Sequence, residues 1–145
     1  MAAKAYSAAK KIDQNSSKKN LFGVAITAAL STTYEKKGDH KFHIALQTED
    51  YSKSISCVMK KGVRTREQEE ELVTAFVVNM LLEAAGLDFS YPEMPETYDV
   101  DKVCAKEGWR ELMREEIQFI SSHNEEPKLI FPGAFNPIHK AHLEM

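Results

Sequence analysis

The chain has 145 residues, with 19 Lys plus Arg against 22 Asp plus Glu, a formal net charge of −3, 43% hydrophobic residues and 28% charged ones. That composition excludes a largely disordered chain, and it lacks the basic excess of a dedicated nucleic-acid binder, so no nucleic acid is expected as a partner. No apolar run approaches the ~18 residues of a membrane span, and the two cysteines, Cys57 and Cys104, have no metal-ligand spacing; no membrane partner, no metal site and a reducing, cytoplasmic compartment are therefore expected.

Residues 1–11 (MAAKAYSAAKK) are Ala-rich and predict a short helix. The polar stretch DQNSSKKN is a loop. Residues 21–30, apolar around Val24 and Ile26, predict a buried strand. Residues 31–39 (STTYEKKGD) turn the chain at Gly38. Residues 41–48 alternate, with Phe42, Ile44 and Leu46 on one face, which predicts a half-buried strand. Residues 54–60 predict a third strand with Ile55, Cys57 and Met59 inward. The short connection before it predicts an antiparallel hairpin with the second.

Residues 65–85 predict the longest helix. Thr65 and Gln68 match a capping box, Glu67 to Glu71 suit the positive end of the helix dipole, and Gly86 stops it. Its apolar stripe runs through Leu72, Ala75, Phe76 and Met80, widened by Val73, Val77, Leu81 and Leu82. Residues 88–99, with Pro92 and Pro95 between aromatics, predict an extended connector. Residues 100–121 predict a helix with a weak point at Gly108 and a stripe of Trp109, Leu112, Met113, Ile117 and Ile120. Lys128 to Phe131 (KLIF) predict a short strand, followed by GAFNPIHKAHLEM.

Most singled-out side chains have plain structural readings. Arg64 and Arg66 could grip an anion near a helix N-terminus, or pair with Glu67 to Glu71. Thr27, Ser31, Thr32 and Thr33 could bind an anion, or close a strand with local turn hydrogen bonds. His40 and His43 have no carboxylate or Cys at ligand spacing. Trp109 suits a core or an interface, and the two cysteines suit small inert hydrophobes.

The C-terminal segment carries more specific chemistry. An apolar strand delivers the chain to a turn at Gly133, where the backbone can approach a ligand closely, and Pro137 shapes the loop. A helix start then offers free N–H groups to an anion. His139 and His142, three apart, project from one face of that first turn and could donate hydrogen bonds to phosphate oxygens.

LIFPGAFNPIHKAH resembles the first motif of the HxGH nucleotidyltransferase superfamily, which includes adenylyl- and cytidylyltransferases. The resemblance implies the first strand, loop and helix of a Rossmann-like fold. Gly133, Ala134, Phe135, Asn136 and Pro137 would form the nucleotide-binding loop, and His139 and His142 would be the catalytic motif histidines. It also implies ATP or CTP with Mg²⁺, a phosphorylated small molecule as acceptor, and pyrophosphate as product. Ala141 stands where the family has Gly. A βαβ unit needs roughly 30 residues, whereas residues 127–145 supply only the opening of one, so the chain is expected to be a piece of a longer protein, inactive alone.

The front part, GVAITAALSTTYEKKGDHKFHIALQT and then GVRTREQEEELVTAFVVNMLLEAAG, resembles part of a CinA-type C-terminal domain, a family containing nicotinamide mononucleotide deamidases. That implies anion-binding roles for Thr27 and for Arg64 or Arg66. Ala28 and Ser31 replace the family's loop glycines, which disfavours amidase activity. The expected organisation is an α/β chain: a partial CinA-like domain over 1–87, a connector with a helix over 88–126, and the start of a cytidylyltransferase-like domain over 127–145. The alternative function is a non-catalytic nucleotide-binding or dimerising scaffold, and a homo-oligomer is possible under either reading.

Overall fold

The computed structural model describes residues 1–13, 15, 20–34, 36–114 and 116–121. Among them are three helices, α1 (Ala2–Ile12), α2 (Arg66–Ala84) and α3 (Glu107–Met113), and four strands, β1 (Gly23–Ala29), β2 (His40–Gln47), β3 (Tyr51–Met59) and β4 (Tyr98–Cys104). The strands form one antiparallel sheet in the order β1-β2-β3-β4, with Ile26 opposite Ile44, Ile44 opposite Ile55, and Ile55 opposite Val100. The expected mixture of helix and strand holds, with every described strand pairing antiparallel.

The period-two pattern decides the core face. Phe42, Ile44 and Leu46 of β2 and Ile55, Cys57 and Met59 of β3 are all buried. The expected hairpin between these strands is present. Thr48 shapes its turn, its hydroxyl accepting from the backbone N–H groups of Asp50 (3.1 Å) and Tyr51 (3.0 Å).

α2 lies across this face and buries Val73, Phe76 and Met80 in the core. Its start follows the sequence rule: Thr65 caps the Gln68 N–H and the Gln68 side chain returns to the Thr65 N–H. Its end is a Schellman turn, with Leu87 N–H to Leu82 O, Gly86 N–H to Glu83 O, and Gly86 at φ 70°. Phe76 is the centre of the core. Its ring lies 5.2 Å from Phe42, 5.5 Å from Tyr91 and 5.0 Å from Tyr98. Each fully buried apolar side chain of this kind contributes about 1.5–3 kcal/mol by burial.

α1 packs on the other face, where Gly23 is required. A Cβ at Gly23 would lie 2.3 Å from the backbone of Ala2 and of Tyr6, so only hydrogen allows helix and strand to meet.

Two expectations need correction. Residues 100–121 do not form one helix: β4 occupies 98–104, paired with β3, and α3 has only seven residues. The stripe through Trp109 does not form a core face, for Trp109 is 56% exposed. Val100 shares a face with Lys102, and Val103 with Asp99 and Asp101, so no clean alternation marks β4; the open edge of β3 supplied its partner. The second correction concerns β1, expected to be buried. It is an edge strand, and Ile26 is 47% exposed because α2 lies over β2 and β3. The predicted strand at 128–131 and everything after it lie outside the described residues.

Candidate functional site

The outer face of the sheet, opposite α2, is covered only in part by α1. Strand register aligns one polar row across it: Thr27 opposite His43, His43 opposite Ser56, and Ser56 opposite Asp99. An open cleft of about 630 Å³ lies over this row and is lined by His43, Ser56, Val58, Glu96, Thr97 and Asp99 among others. A smaller hollow of about 240 Å³ shares His43 and Ser56 and reaches Thr27 and Met1. The row places hydroxyls, an imidazole and a carboxylate on one surface. Its order is unsuited to activating a nucleophile. Activation needs the imidazole between the acid and the hydroxyl. Here Ser56 stands between His43 and Asp99, which are two strand spacings, or about 10 Å, apart. The arrangement can offer hydrogen bonds to a ligand and has no acid–base relay.

Arg64 does not line either hollow. Its guanidinium forms a bidentate pair with Glu96, at 2.8 and 2.7 Å, with side chains only 14% and 10% exposed. Glu96 also accepts the Lys60 N–H at 3.0 Å. The Arg64 hydrogen bonds hold the Glu96 carboxyl at about 2, far below its ordinary 4.5. The pair ties the 88–97 connector to the turn after β3 and sets Glu96 at the cleft's rim. The other arginine, Arg66, pairs with Glu70 at 2.9 Å in the helical i,i+4 relation the sequence suggests. Glu96, thirty-two residues from Arg64, has no local signal that would have found it.

A pH test follows from this pair. The folded-state value of Glu96 is depressed, so its stabilisation is fully present above about pH 4.5 and is lost as pH falls towards about 2. The melting-temperature difference between the wild type and Glu96→Gln should shrink steadily across that window. A difference that stays constant from pH 5 to about 2 would contradict the pairing.

Two polar clusters, one buried and one half-buried, frame the core. His40 meets Glu69 at 2.8 Å, and Glu69, fully buried, also accepts the Ser31 N–H at 2.6 Å. Sequence spacing suggested no carboxylate for His40; the fold brings one from α2, twenty-nine residues away. The second cluster joins Lys53, Glu83 and Tyr91. Lys53 donates to Glu83 and to the Tyr91 hydroxyl (3.2 Å), and the Tyr91 hydroxyl donates to Glu83 at 2.8 Å. Burial alone would raise the Glu83 carboxyl, but hydrogen bonds from Lys53 and Tyr91 outweigh it and hold it below its ordinary value. Burial, then the bond to Glu83, pushes the Tyr91 phenol up. These groups anchor the connector along α2.

Cys57 is buried, with its sulfur 3.5 Å from the Thr97 carbonyl oxygen, and burial pushes its thiol up, as suits an inert side chain. Among the described residues no cluster of His, Cys, Asp and Glu has the form of a metal site, and no helix is long and apolar enough to cross a membrane. Gly133, Ala134, Phe135, Asn136, Pro137, His139 and His142 lie outside the described residues. Comparison with family models, with curated proteins and with solved structures finds no match.

Proposed function

We propose that the protein takes part in nucleotidyl transfer, with residues 128–142 as its nucleoside-triphosphate loop. The observation that carries this reading is the sequence motif itself: an apolar KLIF run, then Gly133 and Pro137, then two histidines three residues apart. Gly133 to Pro137 would approach the triphosphate through the backbone, and His139 and His142 would hydrogen-bond its oxygens and stabilise charge that develops during transfer. ATP or CTP would arrive with Mg²⁺ as its counter-ion and as part of the substrate, the acceptor would be a phosphorylated small molecule, and pyrophosphate would leave. A cytoplasmic location accords with this substrate class and with two unpaired cysteines.

The second reading concerns residues 1–87, which would act as a CinA-like, non-catalytic nucleotide-binding or dimerising scaffold. Its support is local: Arg64 is already committed to Glu96, and the polar row lacks a relay. Amidase activity in this part is disfavoured for the same reasons.

The test is the affinity of the chain for ATP and CTP by calorimetry. Charge-assisted hydrogen bonds contribute about 1.5–3 kcal/mol, so His142→Ala and His139→Ala should each weaken binding about ten- to a hundredfold. Equal affinity in wild type and both variants would refute the proposal.

A further inference from the structure

The two edges of the sheet differ in chemistry. β4 carries Asp99, Asp101 and Lys102 among its seven residues, and charges of this kind guard an open edge against pairing. β1, with the sequence GVAITAA, has no ionisable side chain and no proline. Ile26 and Ala28 sit in the core-face register, opposite the buried Ile44 and Phe42, yet both are exposed. Among the described residues, nothing pairs with the outer edge of β1. An unguarded strand edge with an aliphatic side chain left open on its core face is a template for another strand.

We propose that β1 is a dimerisation edge: two copies of this chain pair antiparallel through β1, about a twofold axis at Ile26, and join two four-stranded sheets into one. The strand's own sequence favours a second copy as the occupant. About that axis Ile26 faces Ile26, Val24 faces Ala28 and Ala25 faces Thr27, so large meets small on the core face and the two isoleucines close the centre. No charges are brought together. The same operation on β4 is unfavourable: an axis at Val100 sets Asp99 against Asp101, and an axis at Asp101 sets two aspartates face to face. α1 lies on the other face, over Gly23, and leaves Ile26 to Ala28 open. This pairing is isologous, as a twofold dimer requires. It stands whether or not the C-terminal loop binds a nucleotide.

Sedimentation equilibrium on the full chain tests it. The weight-average mass should rise from 16.4 kDa towards twice that value between about 1 µM and 1 mM. Ile26→Lys, at a half-exposed position, should weaken the dimer more than about tenfold with an unchanged circular dichroism spectrum, while Val100→Lys on β4 should leave it intact. A second pair of variants reads the register directly. In a Cys104→Ser background, Ile26→Cys should form a disulfide dimer under mild oxidation, since residues facing across antiparallel strands lie about 4.5–5.5 Å apart at Cα. Ala29→Cys, which would face Gly23, should not. A monomer at every concentration, a dimer indifferent to Ile26→Lys, or equal cross-linking at positions 26 and 29 would each overturn the proposal. Should Ile26→Lys fail to fold, the cross-linking pair decides.

Discussion

Replacing Phe76 by alanine is expected to lower the stability of the protein by about 3–5 kcal/mol, a large share of the about 5–15 kcal/mol of a typical domain. Phe76 has no exposed surface, and its ring touches those of Phe42, Tyr91 and Tyr98, which belong to β2, the connector and β4 respectively. One truncation therefore opens a cavity where the helix, the sheet and the connector meet. Each aromatic pair also contributes about 0.5–1.5 kcal/mol beyond its burial, so all three contacts are lost together. Urea unfolding checks this through the midpoint. Phe76→Leu, which keeps most of the volume, should lose clearly less. A loss below about 1 kcal/mol for the alanine variant would show that the ring does not hold these elements together.

Glu69→Ala is the second large effect. Glu69 is fully buried, and both its oxygens are used, one with His40 and the other with the Ser31 N–H. Its removal leaves the buried His40 ring without its partner and the half-buried Ser31 N–H without its acceptor. Each stranded group costs about 1–3 kcal/mol, and breaking a buried pair by removing one partner costs about 3–5 kcal/mol, so the expected loss is about 2–5 kcal/mol. The signature of the pair is recovery. With both side chains replaced by apolar ones, His40→Phe with Glu69→Leu, the double variant should be more stable than Glu69→Ala alone, because no unpaired imidazole remains. Additive losses would mean that the two groups do not depend on each other.

Local signals in the sequence carried the front of the fold well. The alternation of Phe42, Ile44 and Leu46 placed the core face of β2, Thr65 and Gln68 marked the start of α2, and Gly86 marked its end. These features act through neighbours a few residues away, so a single sequence displays them. What was not legible depends on distant partners. The spacing of Trp109, Leu112 and Ile117 suggests a long helical stripe that includes β4, whereas pairing with β3 decides that segment. The exposure of Ile26 follows from where α2 comes to rest. In the candidate site, Thr27 and His43 were visible as residues, but their alignment with Ser56 and Asp99 follows from strand register. The partners Glu96 of Arg64 and Glu69 of His40 are likewise set by tertiary contacts. The histidine motif is the opposite case: it lies within fourteen adjacent residues, LIFPGAFNPIHKAH, so the chemistry proposed for it rests on local sequence alone.

The nucleotide reading is tested most directly by following the imidazole resonances of the five histidines by NMR while ATP or CTP with Mg²⁺ is added. Saturable shifts confined to His139 and His142 are expected, with His40, held against Glu69, and His43, on the sheet, unmoved. Silence of His139 and His142, or shifts shared equally by all five rings, would contradict it.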